Sequence, residues 1–354
     1  MSSTGGTDPL VAVASHGACL SVMLQRPKAL NALNLQMIRE LWAAYERAGA
    51  DASVRCLLLE GAGGKAFCAG GDVKGVWQEA QTDAETSSIF FREEYALNAA
   101  IAGCPKPQVS VWDGIVMGGG VGLSVHGAYR VATERTMFAM PETNIGLFPD
   151  VGGSHFLAAM PGELGTYIGL TGHRLGAADL LYSGLATHYI PSAAVTELPA
   201  ALGACASAAD VETALTELGG PDAPSSSVGG GVLEQQRSLI DEAFAHDTIE
   251  AILAHLVSIQ GDATRHADAV DFATATLGTL GRMSPTSMKI TLRLVREARA
   301  DAGAAAPLTA CLEREFRVVR RCITLGQSTF SKASAPPSST RTATRSGRPP
   351  RPRA

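Results

Sequence analysis

The chain lacks several features that would place it outside the ordinary globular proteins. No apolar run reaches the roughly 18 residues that a membrane-spanning helix needs. Its seven cysteines are scattered, with no CxxC pair and no zinc-site spacing, so we predict reduced thiols and no metal site. The opening MSSTGGTDPL is neither basic nor amphipathic, and no repeat of fixed period is apparent. These absences favour an intracellular, soluble protein without a targeting segment.

Basic residues are scarce outside the end of the chain. The whole chain carries 29 Lys and Arg against 34 Asp and Glu, for a net charge of −5. Residues 329–354 hold six of the basic residues and no acid, which leaves 23 basic against 34 acidic residues in the remainder. Because nucleic acids attract basic surfaces, an acidic body argues against nucleic-acid binding.

The order of short strands and helices predicts an α/β protein. Residues 10–25 are typical of two strands around a turn at His16 and Gly17. Apolar residues at helical spacing predict a helix over residues 35–48, with Asn34 as its N-cap. Strand, loop and helix then alternate as far as about residue 191, which indicates repeated right-handed crossovers.

Changes in composition divide the chain into four segments. We predict a core domain over residues 1–218 and a Gly- and Ser-rich linker over 219–231. Residues 232–328 are predicted to form a helical C-terminal region that packs on the core. The tail over 329–354 is rich in Ser, Pro, Thr and Arg and is expected to be disordered.

Two glycine-rich loops are the first candidates for chemistry. Residues 67–72 read FCAGGD and residues 117–120 read MGGG. Backbone N–H groups at a glycine turn and at a helix N-terminus are preorganised donors for a developing oxyanion. A single glycine-rich loop is more often only a turn. Two of them about 50 residues apart, followed by MPET, are a far more specific pattern.

Four motifs, in this order and spacing, resemble the crotonase (enoyl-CoA hydratase/isomerase) superfamily. They are RPKALNALN (26–34), GKAFCAGGD (64–72), MGGGVGLS (117–124) and MPETNIGLFPDVGG (140–153). The resemblance covers about residues 10–330. It implies an α/β crotonase (ClpP-like) spiral of repeated ββα units with a C-terminal helical region, which relatives use for trimer contacts or to cover the acyl pocket.

Within that superfamily, four further features resemble the branch of 3-hydroxyisobutyryl-CoA hydrolases. They are FFREEY (90–95), SVHG (124–127), FRVVRRCI (316–323) and Asp150. The resemblance assigns the oxyanion donors to the N–H groups of Gly71 and Gly119. It assigns the catalytic carboxylate, its partner and a contact to the substrate hydroxyl to Glu142, Asp150 and Glu94. Residues flanking the pantetheine and nucleotide of coenzyme A would be Lys28, Ala29, Lys65 and Ala66.

One glycine favours hydrolysis over hydration. Adding water to a double bond uses two carboxylates on one water, and hydratases carry the first of them four residues into the helix after the glycines. This chain has Gly122 there, and it has Asp150 where hydratases tend to have glycine. A carboxylate near an oxyanion hole can attack a thioester to form an anhydride, or act as a general base on water. Both routes release an acid and coenzyme A.

Each acidic candidate also has a purely structural interpretation. Glu142 follows a proline and could be a solvated loop acid. Asp150 precedes VGGSHF and could cap a helix there. Glu94 lies among charged neighbours and could belong to an exposed helix face.

Four other residues invite a functional interpretation. His126 and His155 are tempting bases, but a lone histidine near an apolar helix is usually structural, and we favour that interpretation. Cys68 has no histidine paired with it in sequence and is expected to be a small packing residue. Asp72 is expected to end its loop and cap the next helix.

The resemblance predicts a thioesterase that hydrolyses 3-hydroxyisobutyryl-CoA, or a similar short β-hydroxyacyl-CoA, in valine catabolism. It implies no metal and no redox cofactor, a possible homo-oligomer, and no membrane partner. The compartment would be the mitochondrial matrix of a eukaryote or the cytoplasm of a bacterium. The alternatives are an enoyl-CoA hydratase or isomerase and, in another class, an inactive protein that binds coenzyme A or a partner.

The tail has a second interpretation besides disorder. A GC-rich back-translation from Ser331, read in a shifted frame, contains EGVRA and VDKDRNPKW. These strings resemble the continuation of the hydrolase branch. We therefore expect residues 329–354 to be out of frame, and resequencing of the locus through this region tests that expectation.

Overall fold

The strands of the chain form two sheets. The computed structural model describes residues 9–72, 75, 84–220, 230–300 and 306–324. Within that part the strands are β1 (Val11–His16), β2 (Cys19–Leu24), β3 (Cys56–Gly61), β4 (Ala66–Cys68), β5 (Gln108–Trp112), β6 (Ile115–Met117), β7 (Tyr129–Ala132), β8 (Met137–Ala139) and β9 (His188–Tyr189). The predicted strands around His16 and Gly17 are confirmed as β1 and β2.

From β3 onward, consecutive strands alternate between the two sheets. The larger sheet has the order β1-β2-β3-β5-β7-β9, in which only β1 and β2 pair antiparallel. The smaller sheet, β4-β6-β8, is parallel throughout. Each of β3, β5 and β7 thus lies in the larger sheet and is followed by one strand of the smaller sheet. This repeat confirms the predicted spiral of ββα units.

Helices surround these sheets and make up the C-terminal part of the described chain. They are α1 (Leu35–Ala50), α2 (Ala84–Ala102), α3 (Gly119–Gly122), α4 (Gly153–Ala159), α5 (Leu164–Thr171), α6 (Ala177–Tyr182), α7 (Leu198–Gly203), α8 (Ala208–Gly219), α9 (Val232–Gln235), α10 (Arg237–Phe244), α11 (Ile249–Gly261), α12 (Ala267–Leu280), α13 (Pro285–Ala300) and α14 (Leu308–Thr324). Three 3-10 helices span Pro27–Ala29, Glu142–Ile145 and Ser192–Glu197. The predicted cap is present, because the Asn34 side chain accepts from the Met37 N–H at 2.9 Å.

The C-terminal helices pack on the elements that carry the candidate site. Helix α14 lies against α2, and α13 lies against α4 and α5. One continuous hydrophobic cluster contains Leu57 of β3 and Phe138 of β8 together with Val295 of α13 and Val319 of α14. Burying these faces together removes apolar surface from water, at about 25 cal/mol per Å². The C-terminal helices therefore hold α2 and α4 in place.

Part of the sequence-based organisation lies outside the described residues. The tail over 329–354 and most of the linker, residues 221–229, belong to that part. The segment boundaries stay predictions. Among the described helices, none combines the length and the apolar character that a membrane crossing requires.

Candidate active site

A small cavity lies where the two glycine-rich loops meet. Its volume is about 90 Å³. It is lined by Ala69, Gly70, Gly71, Phe90, Phe91, Glu94, Met117, Gly118, Gly119, Pro141, Glu142, Ile145, Leu147 and Asp150. All five residues predicted to contact the acyl group are therefore together in one cavity. Their catalytic roles stay predictions.

The first oxyanion loop is held by a neighbouring loop. The Leu33 N–H donates to Gly70 O at 2.8 Å, and the Asp72 N–H donates to Leu33 O at 2.7 Å. This pairing leaves the Gly71 N–H without an acceptor among the described residues. A Cβ at Gly71 would lie 3.3 Å from the Phe90 ring, so glycine keeps the approach to this N–H open.

The second oxyanion loop brings its N–H group beside the first. Gly118 has φ +46°, a left-handed conformation that glycine adopts readily, and it turns the chain from β6 into α3. A Cβ on Gly119 would lie 3.2 Å from Gly71 N and 2.4 Å from Glu94 Oε1. The Gly119 N–H also donates to no described residue. The two backbone N–H groups therefore lie close together at the cavity, as the predicted oxyanion hole requires.

Three buried carboxyl groups line the cavity, and its described lining includes no Lys, Arg or His. The exposed fractions of Glu94, Glu142 and Asp150 are 2%, 5% and 4%. Glu94 Oε1 and Glu142 Oε2 are buried without a hydrogen-bond partner among the described residues. Buried carboxyl oxygens normally have partners, so these two are available to a ligand. The structure thus contradicts the interpretation of Glu142 as a solvated loop acid and of Glu94 as part of an exposed face.

Burial and mutual repulsion raise the pKa values of all three carboxyls. Burial raises the pKa of Glu94 well above its usual range, and the charges of Asp150 and Glu142 add to the effect. Burial, followed by the charge of Asp150, does the same to the pKa of Glu142. Burial raises the pKa of Asp150 to about 6, although the Tyr95 hydroxyl opposes the shift. These shifts bring the pKa values of the three carboxyls closer to neutral pH than those of exposed carboxyls, as a site for acid–base chemistry requires.

Asp150 does not cap the following helix. Its Oδ2 accepts a hydrogen bond from the Tyr95 hydroxyl at 2.7 Å. The N-cap of α4 is Gly152, which follows Val151, a residue held at φ +55°. A left-handed conformation is costly for a β-branched residue, so the surrounding contacts must hold it. The helix-cap interpretation of Asp150 is wrong because its carboxylate faces Tyr95 and the cavity instead.

The cap comes from the far end of the chain, and the sequence interpretation missed it. Glu315 of α14 is fully buried and accepts hydrogen bonds from Gly152 N at 2.8 Å, Ser154 N at 2.9 Å and Ser154 Oγ at 2.6 Å. Burial raises the pKa of Glu315 to about 7. One signal was available: Glu315 falls on the buried stripe of α14 that includes Cys311 and Val319.

The position of the missing hydratase carboxylate is filled. A Cβ on Gly122 would lie 2.6 Å from Val151 Cβ and 3.0 Å from Asn98 Nδ2. A real Cβ does not approach another carbon this closely, so no glutamate fits here without displacing Val151. The second carboxyl of the cavity is Asp150, which is the neighbour of the residue that blocks the first position.

The predicted coenzyme A residues lie outside the cavity, on two loops that contact each other. Lys28 and Lys65 are exposed, Ala29 is half-buried and Ala66 is buried. Asn31 joins the loops by donating to Ala66 O at 2.9 Å. A second hydrogen bond, from Ala69 N to Leu30 O at 3.0 Å, ties these loops to the first oxyanion loop.

The other sequence candidates have structural positions. His126 Nε2 lies 2.8 Å from Val151 O, and His155 Nδ1 lies 2.8 Å from Ala306 O, so neither ring reaches the cavity. Cys68 is fully buried, in agreement with a packing role. Asp72 accepts from Gly75 N at 3.1 Å and forms an ion pair with Arg26 at 2.7 Å.

Comparison with known proteins decides the family. The sequence pattern of the family described as enoyl-CoA hydratase/isomerase matches residues 19–332. This chain belongs to the enoyl-CoA hydratase/isomerase family. Its crotonase fold agrees with a solved relative, the carnitinyl-CoA dehydratase of Mycobacterium thermoresistibile, with a TM-score of 0.80 and 36% identity over 91% of this chain and 88% of that one.

Similar members of the family include mitochondrial 3-hydroxyisobutyryl-CoA hydrolases. The Xenopus laevis protein of that name is 43% identical over 317 residues, which are 87% of this chain and 77% of that protein. The Homo sapiens protein is 40% identical over 303 residues, covering 85% and 75%.

Proposed function

We propose that this family member hydrolyses an acyl-CoA thioester, and that its substrate is 3-hydroxyisobutyryl-CoA or a similar short β-hydroxyacyl-CoA of valine catabolism. One observation carries the proposal: Gly71 and Gly119 share one cavity with Glu142 and Asp150, while the hydratase position, Gly122, has neither a carboxylate nor room for one. The names of the similar mitochondrial hydrolases support it.

The size and polarity of the cavity support a short hydroxylated acyl group. A volume of about 90 Å³ suits a chain of a few carbons. Phe90, Phe91 and Leu147 provide apolar walls, and the unpartnered Oε1 of Glu94 provides a partner for a hydroxyl group. A site built to bond a hydroxyl discriminates strongly against an analogue that lacks it, because its own polar group is then left unpaired.

Two routes fit the carboxyl cluster. In one, a Glu142 oxygen attacks the thioester carbonyl, the C–S bond breaks, and water then hydrolyses the resulting anhydride. In the other, Glu142 takes a proton from water, and that water attacks the carbonyl. The N–H groups of Gly71 and Gly119 stabilise the oxyanion in both routes, each contributing about 3 kcal/mol. The sulfur of coenzyme A leaves as a thiolate and is protonated.

The remaining features of the proposal concern partners and place. The three carboxyls and two N–H donors suffice for hydrolysis, so we propose no cofactor beyond the coenzyme A of the substrate. We also propose a small-molecule partner and no nucleic acid or membrane partner, with a homo-oligomer as the possible assembly. The compartment would be the mitochondrial matrix in a eukaryote, as the names of the relatives suggest, or the cytoplasm in a bacterium.

A comparison of three substrates tests the proposal. Coenzyme A release, detected as free thiol, should be fast from (S)-3-hydroxyisobutyryl-CoA and at least about a hundredfold slower from isobutyryl-CoA, which lacks the hydroxyl. Crotonyl-CoA should not be hydrated. Hydration of crotonyl-CoA without thiol release would instead favour the hydratase alternative. A folded protein that binds coenzyme A but shows neither activity would favour the binding-protein alternative.

A further inference from the structure

A second cavity, of about 350 Å³, lies outside the candidate active site. It is lined by Ala102, Val125, His126, Arg130, His155, Phe156, Ala159, Met160, Ser183, Gly184, Leu185 and Leu308. Among the described residues that line it, three are basic and none is acidic. In a chain whose charge is net negative, a concave surface of this kind is a candidate anion site.

The guanidinium group of Arg130 has no carboxylate partner among the described residues. It is half-buried and donates to the carbonyl oxygens of Leu185 and Gly127, the latter at 2.8 Å. Burial lowers the pKa of Arg130, which shows that its charge is poorly solvated. A buried charge normally has a counter-ion, so this one favours binding of an anion.

Both imidazoles of this cavity have an unused nitrogen. His126 Nε2 donates to Val151 O, and His155 Nδ1 donates to Ala306 O, because a carbonyl oxygen can only accept. His126 Nδ1 and His155 Nε2 therefore carry lone pairs in the neutral rings, and neither bonds to a described residue. The ring centroids are 6.4 Å apart. A protonated His126 would donate from Nδ1 to an anion in this cavity, which Arg130 and His155 also line.

We propose that this cavity binds a short-chain carboxylate, held by Arg130 and by the free nitrogens of His126 and His155. The apolar lining from Phe156, Met160, Leu185 and Leu308 favours an organic acid over inorganic phosphate. The site is connected to the candidate active site through one hydrogen bond, from His126 to the carbonyl of Val151, the neighbour of Asp150. An acid of this class is also what the proposed thioester hydrolysis releases, a link that rests on the proposed function.

The binding step is testable without any catalysis. Isothermal titration of the full-length protein with isobutyrate should show one binding site. The pKa of His126 is lowered to about 4, chiefly by burial and to a smaller extent by the nearby His155 and Arg130, while the hydrogen bond to Val151 opposes the shift. An anion would raise this pKa, so binding should tighten by up to about tenfold per pH unit as the pH falls from 7 to 5. Inorganic phosphate, as the second probe, should bind more weakly.

Two variants retain the structural hydrogen bonds and remove the free nitrogens. In His126→Gln and His155→Asn, the side-chain amide replaces the nitrogen that donates to the backbone carbonyl. The double variant should bind isobutyrate at least tenfold more weakly than the wild type, with an unchanged melting temperature. Glu94→Gln, in the candidate active site, is the matched control and should bind as wild type does.

Three outcomes would overturn the proposal. Unchanged binding in the double histidine variant would place the ligand elsewhere. Loss of binding in Glu94→Gln alone would place it in the acyl cavity. The absence of any heat of binding from a folded wild-type protein at pH 5 would show that the second cavity takes no carboxylate.

Discussion

The two cavities differ in the sign of their charge and share one short segment of chain. The first is lined by Glu94, Glu142 and Asp150, with no basic side chain in the part of the chain that the structure describes. The second is lined by Arg130 and two histidines, with no acidic side chain among the same residues. The segment over residues 150–154 separates their roles: Asp150 lines the first, and the carbonyl of Val151 is held by the second. Each cavity keeps side chains of one charge type together, and the neighbouring elements hold these side chains in place.

The acidic cavity is the region where buried polar groups lower the stability of the fold. The carboxyl cluster leaves buried oxygens unpartnered and raises its own pKa values. Residues 150–154, which follow it, are held by several hydrogen bonds: Tyr95 and His126 donate to this segment, and Glu315 accepts from it. Strained or unsatisfied groups persist only where the surrounding structure is this well fixed.

Removing the charge of Asp150 should have the largest effect on the activity of the acidic cavity. We expect Asp150→Asn to lower kcat by about 10²- to 10³-fold if Asp150 takes part in proton transfer. The same change removes a charge that raises the pKa of Glu142, so the acidic limb of the residual pH profile should move to lower pH. The measurement is kcat/KM from pH 4 to 9. A limb that stays in place would show that the two carboxyls do not interact.

Weakening the hydrogen bonds between Glu315 and residues 152–154 should have an intermediate effect on activity. Glu315→Gln keeps the shape of the side chain but replaces the carboxylate that accepts hydrogen bonds from Gly152 and Ser154. Charge-assisted hydrogen bonds contribute about 1.5–3 kcal/mol, so we expect a lower melting temperature and a roughly tenfold lower kcat, with a smaller change in KM. The exposed Glu313→Gln on the same helix is the control. Equal behaviour of the two variants would contradict the role of Glu315.

Relieving the carboxyl cluster should have the smallest effect, and one of opposite sign. The pKa of Glu94 is raised in the folded state, so unfolding releases its proton and stability falls as the pH rises above about 4.5. Glu94→Gln removes this penalty and should stabilise the fold by about 1–3 kcal/mol at pH 8, but not at pH 4. Thermal unfolding at both pH values checks the sign. Destabilisation at pH 8 would contradict the pKa assignment.

The residues that belong to short local motifs could be located from the sequence. Glycines at Gly71 and Gly119 and a carboxylate at Glu142 belong to short motifs, and the structure brings them together as the family resemblance implied. The ββα spiral followed from the same motifs. Gly122 showed that a carboxylate was missing, but only the structure shows that Val151 occupies its space.

Contacts between distant segments could not be predicted in this way. Glu315 reaches Gly152 across 163 positions of the chain, and Tyr95 reaches Asp150 across 55. Such pairs depend on how α14 and α2 pack, which periodicity alone does not specify. For the same reason Asp150 was open to the helix-cap interpretation, since the side chain that bonds the start of α4 lies on another helix.

The most direct test of the proposed hydrolysis is the rate at which Glu142→Gln releases coenzyme A from (S)-3-hydroxyisobutyryl-CoA. The amide can neither attack the thioester nor take a proton from water, while its size preserves the cavity. We predict a loss of kcat of at least about 10³-fold, with KM and the melting temperature close to those of the wild type. Release within tenfold of the wild-type rate would contradict the claim that Glu142 performs the chemistry.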